Sequence, residues 1–264
     1  MPEVIELERV GSVAVVTLNR PESLNALNQE LREAMLLALE EVRLDDSVRV
    51  VVLTGAGRGF CSGADLSGMR NSDEALTQTD RLDEYGWVGR QALAVFGLDK
   101  PTIAAVNGVA VGAGMSLALA CDIRIGGPTT RFKTVFLERS LSPDAGMTYF
   151  LTRILGYAKA AELIFTNRSL DSKEAMALGL LNKAAEEEGG ALSEAIEVAE
   201  QIAKWPPMAV RASKRVLQHN LEVVLSEALL YEKAGLRLAS LATNDRRESL
   251  ESFQERRPPT FTGT

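Results

Sequence analysis

Two short apolar runs, each followed by a glycine-rich loop and then by residues suited to a helix, constrain the fold most strongly. The first run, VRVVVL at residues 48–53, precedes the loop RGFCSGADLSGM at residues 58–69. The second run, TIAAV at residues 102–106, precedes the loop NGVAVGAGM at residues 107–115. Continuous apolar runs of this length are typical of strands that are buried on both faces. Because the order of strand, loop and helix occurs twice, the sequence predicts an α/β fold.

The remaining segments predict a hairpin at the start of the chain and helices towards its end. The β-rich runs at residues 4–10 and 13–18 are separated only by Gly11 and Ser12, which indicates an antiparallel hairpin. Apolar residues at helical spacing predict further helices. These cover residues 27–44, 146–155, 158–165, 172–178, 191–204, 208–219 and 221–253.

The composition argues against several classes of function. The 36 acidic and 29 basic residues give a net charge of −7, so a nucleic acid would have to bind against the overall field. No uninterrupted apolar segment approaches the length of a membrane span, and two cysteines are too few for a disulfide framework. We therefore expect a cytoplasmic protein with neither a nucleic-acid nor a membrane partner.

Most sequence motifs of catalysis are absent or badly placed. The glycines of the second loop follow a GxxxGxG spacing, which differs from the GxGxxG dinucleotide fingerprint, and no Walker-type GK[ST] occurs. His219 is the only histidine and lies far along the chain from both loops. No metal site is predicted, and Cys61 and Cys121 are interpreted as small buried side chains.

The two glycine-rich loops remain as candidates for a site. Backbone N–H groups in the first turn of a helix lack partners within the helix and carry the positive end of its dipole. Two such groups that converge would form an oxyanion hole, which stabilises the enolate formed when a proton leaves the carbon next to a thioester carbonyl. Tight turns without any chemistry are the alternative, and the pattern leaves both open.

A family resemblance favours the oxyanion hole. Six strings occur in order over nearly the whole chain: NRPESLNAL, VVLTGAGRGFCSGADL, AVNGVAVGAG, ACDIRI, SPDAGMTYFLTRILG and FQERRPPTFTG. The sequence thereby resembles the enoyl-CoA hydratase/isomerase (crotonase) family. The resemblance implies an α/β crotonase (ClpP-like) fold, with a repeated ββα superhelical core over residues 1–200 and a C-terminal helical oligomerisation segment over residues 201–264. It also implies a homotrimer or a dimer of trimers.

The same resemblance implies the residues that bind an acyl-CoA substrate. The N–H groups of Ala64 and Ala113 correspond to the two donors to the thioester oxygen. Phe253 and Arg256 match a C-terminal motif that reaches the 3′-phosphate of coenzyme A in an adjacent subunit. Further contacts with coenzyme A are implied for Ser23, Leu24, Ala26, Ser62, Ala64, Asp65 and Leu66. Coenzyme A is then part of the substrate, and no permanently bound cofactor is expected.

The acids differ from the family pattern. Ser116 and Phe136 occupy the positions of the two glutamates that add water in family hydratases, and neither side chain can act as an acid or base near neutral pH. Asp144, in SPDAG, matches an aspartate that is catalytic in some members, and its apolar neighbours would raise its pKa. A helix N-cap is the alternative role for Asp144. Glu138 shares strand-face parity with Phe136, but a surface or ion-paired role is favoured.

These residues predict an acyl-CoA-processing enzyme, and an enoyl-CoA isomerase is favoured because one acid suffices to move a proton between two carbons. An enoyl-CoA hydratase is one alternative. A thioester hydrolase or dehalogenase with Asp144 as nucleophile is another, and an acyl-CoA binding protein without chemistry is a third. The acyl group is left open, although residues 70–95, with Tyr85 and Trp87, are predicted to line its pocket.

Overall fold

The computed structural model describes residues 3–67 and 78–264. The strands are β1 (Ile5–Val10), β2 (Val13–Leu18), β3 (Val50–Gly55), β4 (Gly59–Cys61), β5 (Thr102–Val106), β6 (Val109–Val111), β7 (Ile123–Gly126), β8 (Arg131–Lys133), β9 (Leu170–Asp171) and β10 (Lys183–Ala184). The helices are α1 (Gln29–Leu44), α2 (Gln78–Leu82), α3 (Gly86–Phe96), α4 (Ala113–Ala120), α5 (Met147–Leu155), α6 (Tyr157–Thr166), α7 (Ser172–Ala177), α8 (Gly190–Ala203), α9 (Pro207–His219), α10 (Leu225–Ala239) and α11 (Thr243–Glu255). Most of the polar segment predicted before residue 80 lies outside the described residues.

The strands form two sheets from a repeated ββα unit. The larger sheet has the order β1-β2-β3-β5-β7-β10, and the smaller sheet has the order β4-β6-β8-β9. In the pairs β3–β4, β5–β6 and β7–β8, the first strand joins the larger sheet and the second joins the smaller one. β1 and β2 pair antiparallel, whereas β2, β3, β5 and β7 run parallel. The predicted α/β class, the opening hairpin and the ββα repeat are confirmed.

The larger sheet is covered on both faces, which explains its continuous apolar runs. Along β2, Val13 and Val15 pack in a small core against α8, where Ala195 and Ala199 are fully buried. The alternate side chains of β2 point instead into the main core, between the sheet and the helices of the other face. Side chains alternate along a strand, so both sets must be apolar when both faces are buried.

The structure corrects the interpretation of the segment that contains Glu138. Residues 136–139 form a 3₁₀ turn and not a strand, so the argument from strand-face parity is wrong. The strand ends because Val135 adopts a left-handed conformation with φ of 64°. Glu138 is exposed and forms an ion pair with Lys133, which confirms the surface role favoured for it.

Two further segments differ from the prediction. The second glycine-rich loop contains the short strand β6, because its backbone pairs with β4 and β8. The helical stretch predicted over residues 221–253 is divided into α10 and α11, with a break at residues 240–242. The division of the chain at residues 200 and 201 stays a prediction.

The cysteines behave as small buried side chains. Cys61 and Cys121 are free thiols in the main core. Burial raises the pKa of each thiol to about 12, so neither forms a thiolate near neutral pH. Within residues 3–67 and 78–264, no helix is long and apolar enough to cross a membrane.

Candidate active site

A cavity of about 340 Å³ lies where both glycine-rich loops meet α3 and the segment before α5. It brings together Ala64, Ala113 and Asp144, which the sequence analysis assigned to one site. The lining is mostly apolar, with backbone groups from the two loops and side chains from the other elements. It consists of Ser62, Gly63, Ala64, Leu66, Trp87, Val88, Val111, Gly112, Ala113, Val135, Phe136, Arg139, Leu141 and Asp144.

The backbone at Ala64 is held so that its N–H group faces the cavity. Leu27 N–H donates to the Gly63 carbonyl at 2.8 Å, and Asp65 N–H donates to the Leu27 carbonyl at 3.3 Å. Ala64 lies between these two bonds in a parallel bridge to Leu27. Successive N–H groups of an extended chain point to opposite sides. The N–H of Ala64 therefore points away from Leu27, towards the cavity that Ala64 lines.

The second predicted donor is the N–H of Ala113, at the start of α4. As the first residue of this helix, Ala113 has no acceptor for its N–H within the helix, and the helix dipole makes this end positive. Gly63, with φ of 94°, brings the other loop against it. A Cβ atom on Gly63 would lie 3.5 Å from Ala113 N and only 2.7 Å from the Val111 carbonyl oxygen. Glycine at position 63 thus allows the first loop to lie closely against the start of α4.

Buried hydrogen bonds of Asn25 hold the first loop in place. Its Nδ2 donates to the carbonyls of Gly59 at 2.8 Å and Ala56 at 3.0 Å, and its Oδ1 accepts from Arg20 N–H at 2.8 Å. The residue is fully buried and adopts φ of 57°, a region that asparagine tolerates better than most residues. Asn25 therefore links the chain before α1 to the loop that carries Ala64.

Replacing Asn25 by Ala is expected to lower the free energy of unfolding by about 2–4 kcal/mol, because buried backbone groups lose their partners. Urea unfolding followed by circular dichroism measures this loss. The exposed Asn244 provides the control, since the same change there should stay within about 0.5 kcal/mol of the wild type. A loss below about 1 kcal/mol for Asn25→Ala would contradict the role of this residue as a buried link.

Four residues that are predicted to contact coenzyme A lie where the segment before α1 meets the first glycine-rich loop: Ser23, Leu24, Ala26 and Ser62. The Ser62 N–H donates to the Leu24 carbonyl at 2.9 Å, and the Ser62 hydroxyl donates to the Ser23 carbonyl at 3.1 Å. The carbonyl of Ala26 accepts from Arg20 at 2.5 Å. Of these residues, Ser62 lines the cavity. Contact with coenzyme A stays a prediction for all of them.

Asp65 and Leu66 have different surroundings. The Asp65 carboxylate accepts from the hydroxyl and N–H of Ser67 and from Arg20 at 2.9 Å. Hydrogen bonds from Ser67, more than the charge of Arg20, hold the pKa of Asp65 below its usual value. Leu66 lines the cavity and is 45% exposed, so its apolar side chain is available to a ligand. Asp65 therefore stabilises the loop, whereas Leu66 forms part of the wall.

Two residues of the C-terminal motif, Phe253 and Arg256, are not part of this cavity. Phe253, in α11, is 83% exposed, and Arg256 follows the end of that helix with φ of 56°. Neither is part of the cavity lining in this chain. The predicted contact with a ligand of an adjacent subunit stays a prediction.

Asp144 lines the cavity, and the helix-cap alternative for its side chain is wrong. Helix α5 begins at Met147 with Gly146 as N-cap, and no side chain caps it. Within the described residues, the contacts of Asp144 with Met147 N–H at 2.9 Å and the Ser116 hydroxyl at 3.3 Å involve its backbone carbonyl and not its carboxyl. Asp144 is exposed, but partial burial still raises the pKa of its carboxyl.

Neither position that matches a family glutamate carries an acid. Ser116 is buried in α4, and its hydroxyl donates to the backbone of Asp144. Phe136 is buried and forms an apolar part of the cavity wall. Asp144 is therefore the only acid among the described residues that line the cavity.

The segment that carries Asp144 contains several residues with strained backbone. Val135, Ser140 and Ala145 have φ between 51° and 64°, although none is glycine. Such conformations cost on the order of 1–3 kcal/mol each and persist where the surroundings enforce them. A hydrogen bond from Val135 N–H to Asn167 Oδ1, at 2.8 Å, is one of the contacts that hold Val135 in this conformation. The strain is concentrated in the part of the chain that positions the carboxyl group.

Some cavity residues were not found from the sequence. Trp87 lines the cavity as predicted for its segment, whereas Tyr85 is exposed and is not part of the lining. Arg139 and Leu141 also line it, and no motif marks either of them. Arg20 stabilises the first loop, and its place in the string NRPESLNAL could have indicated a structural role.

His219 takes no part in the cavity. It lies at the end of α9, where its ring stacks on Tyr231 with 3.7 Å between the centroids. Its Nε2 is 3.7 Å from the Glu227 carboxylate. This arrangement agrees with the interpretation that no catalytic triad is built on this histidine.

The ββα repeat, together with two backbone donors and a carboxylate in one cavity, defines a protein of the crotonase fold with a site suited to a thioester. Comparison with known sequences agrees, because the model of the family "Enoyl-CoA hydratase/isomerase" matches residues 8–264. The chain belongs to the enoyl-CoA hydratase/isomerase family.

Relatives with this family's names match nearly the whole chain. The short-chain-enoyl-CoA hydratase of Clostridium acetobutylicum is 36% identical over 253 residues, which are 95% of this chain and 94% of the relative. The 2,3-dehydroadipyl-CoA hydratase of Escherichia coli is 36% identical over 263 residues and covers 100% of both chains. The crystal structure of an enoyl-CoA hydratase from Bacillus anthracis superposes with a TM-score of 0.91 at 33% identity, covering 99% of this chain and 100% of that chain. The predicted family and crotonase fold are thus confirmed.

Proposed function

We propose that this protein is an enoyl-CoA isomerase, which moves the double bond of an unsaturated acyl-CoA by a 1,3 proton shift. The observation that carries the proposal is the single carboxylate of Asp144 in a cavity with two backbone N–H donors. A carboxyl group with a raised pKa is a stronger base towards a carbon acid than an ordinary aspartate.

The reaction starts from a 3-enoyl-CoA whose carbonyl oxygen accepts from the N–H groups of Ala64 and Ala113. The Asp144 carboxylate removes a proton from carbon 2, and the electron pair of that C–H bond moves towards the thioester oxygen. The dienolate that forms is stabilised by the two N–H donors. Asp144 then returns the proton to carbon 4, which yields the 2-enoyl-CoA and restores the carboxylate.

Hydration of a 2-enoyl-CoA is the second candidate, and the names of relatives favour it, since the relatives from Clostridium acetobutylicum and Escherichia coli are both called hydratases. Water addition requires a group that positions the water as well as a group that transfers the proton. Ser116 and Phe136 stand at the two positions where the family pattern has glutamates. For this reason we favour isomerisation for this chain.

Assays with 3-hexenoyl-CoA and 2-hexenoyl-CoA separate the two reactions. We expect conversion of the first into the second, with addition of water to the 2-enoyl-CoA at least about 10²-fold slower, because proton transfer by a positioned group contributes about 10²–10⁴-fold. Rapid hydration without isomerisation would refute the proposal.

Exchange of solvent deuterium into carbon 2 of a saturated acyl-CoA tests the site before the true acyl group is known. Exchange requires both the base and the oxyanion hole. Binding without exchange would indicate an acyl-CoA binding protein without chemistry. A covalent ester trapped on Asp144 would indicate a hydrolase or dehalogenase instead.

We also propose a cytoplasmic homotrimer or dimer of trimers in which coenzyme A enters only as part of the substrate. The exposed leucines of α10 support an assembly, because a helix face of this kind is typical of a subunit interface. They are Leu225, Leu229, Leu230 and Leu236. Sedimentation of the purified protein measures the number of subunits.

A further inference from the structure

A second cavity, of about 510 Å³, lies between α1 and α3. Trp87 lines this cavity and also the candidate active site, so one indole ring forms a wall that both cavities share. The second cavity differs in chemistry, because most of the residues that line it carry a charged or amide side chain, whereas most of those that line the first do not. A ligand of the candidate active site would have to pass Trp87 to reach this second cavity.

The guanidinium of Arg32, which lines this cavity, can donate further hydrogen bonds to a ligand. Its guanidinium lies 4.3 Å from the centre of the Trp87 ring, and its Nε donates to the Asn28 carbonyl at 3.1 Å. It forms no salt bridge with any acid in the described part of the chain, whereas Arg90, in the same cavity, is paired with Asp83. Arg32 is half-buried, and this burial lowers the pKa of its guanidinium.

Gln91 adds an unpartnered donor to the same cavity. Its side chain is only 4% exposed, and its Nε2 atom has no hydrogen-bond partner within the described residues. A buried amide without a partner costs about 1–3 kcal/mol, so an acceptor at this place would be stabilising. The acid Glu33 also lines the cavity, but it is exposed and accepts from Gln29 at 2.9 Å.

We propose that Arg32 and Gln91 bind a carboxylate at the far end of the acyl group, so that the substrates are acyl-CoA thioesters with an ω-carboxylate. Arginine binds a carboxylate through charge-assisted hydrogen bonds, and its planar fork can make two of them. A chain that ends in a methyl group leaves Arg32 and Gln91 without partners, which disfavours it. The inference rests on the proposed function only in requiring that the acyl chain occupies the cavity beside Trp87.

Calorimetric titration of the full-length protein tests this with saturated thioesters, which the enzyme can neither isomerise nor hydrate. The pairs are hexanoyl-CoA with adipoyl-CoA and octanoyl-CoA with suberoyl-CoA. We expect the carboxylated member to bind at least ten-fold more tightly in one or both pairs. In Arg32→Gln this preference should fall below three-fold, Arg32→Lys should retain part of it, and Gln91→Leu should reduce it.

Arg43→Gln provides the matched control, because Arg43 lies on the same helix, is exposed and pairs with Glu40. It should keep the full preference. Equal binding within both pairs by the wild type, or an undiminished preference in folded Arg32→Gln, would overturn the subsite. Saturated thioesters measure binding alone, so failure of the subsite would not decide whether the protein is an isomerase. Conversely, absence of isomerisation would not contradict the binding of an ω-carboxylate.

Discussion

Replacing Asp144 by Asn is expected to lower kcat for isomerisation by about 10²–10⁴-fold, the contribution typical of a general acid–base group. Asparagine has nearly the same shape but cannot accept the proton from carbon 2. Binding of a saturated acyl-CoA should change less than about three-fold, since thioester recognition depends on other groups. Full activity of the Asn variant would refute the catalytic role.

The pH dependence gives this prediction a second readout. Desolvation raises the pKa of Asp144, so the base is lost as the pH falls through a pKa above the usual value of 3.8. The wild-type kcat/KM should therefore decline on the acid side with unit slope. A raised pKa in the folded state favours the protonated form, and the stability that it contributes below the unfolded pKa is lost as the pH rises. At neutral pH, Asp144→Asn should therefore unfold at the same temperature as the wild type or higher.

Glu138→Gln is the matched control for Asp144→Asn. Glu138 is the other acid of the segment, it is exposed, and it pairs with Lys133 outside the cavity. Its replacement should leave both kcat and the acid limb of the pH profile unchanged. A loss of activity comparable to that of Asp144→Asn would show that the wrong acid was chosen.

Replacing Ala113 by Pro is expected to lower kcat by about 10²–10³-fold, because it removes one donor of the oxyanion hole. Ala113 is the first residue of α4, where proline is well tolerated since its missing N–H has no partner within the helix. The substitution therefore removes the N–H group while leaving the helix in place. Steady-state kinetics and circular dichroism measure the two effects.

Ala113→Gly is the matched control, because glycine keeps the N–H group and should retain activity within a few-fold of the wild type. The affinity for a saturated acyl-CoA distinguishes loss of the donor from obstruction by the proline ring. If only the donor is lost, kcat falls and the affinity changes little. Normal kcat in a folded Ala113→Pro protein would exclude the Ala113 N–H as a donor in the transition state.

Much of the fold follows from local patterns in the sequence. Strands β2, β3 and β5 and the hairpin at the start were predictable because apolar runs bounded by turn residues have few other solutions. The 3₁₀ turn at residues 136–139 was not predictable in this way. The turn follows Val135, a β-branched residue that adopts a left-handed conformation against its own preference. There the hydrogen bonds with Asn167 outweigh local propensity.

The candidate site also contains residues that motifs predicted and residues that they did not. Ala64, Ala113 and Asp144 were predicted because each matches a motif of the family, and the structure brings the three residues into one cavity. Arg32 and Gln91 lie on α1 and α3 without any motif. Their relation to Trp87 depends on how two helices pack, and helix packing is decided by side chains far apart in sequence.

The sequence by itself determines most of the order of strands, loops and helices, because propensity and apolar spacing act between neighbouring residues. The resemblance of the two glycine-rich loops to the family motifs implies which backbone N–H groups would bind a thioester oxygen. The tertiary structure alone decides which of these groups share a cavity, whether Asp144 caps a helix or faces a ligand, and which charges remain without partners. Those outcomes depend on contacts between distant segments and on the loss of water around them, and neither is encoded in any short stretch of sequence.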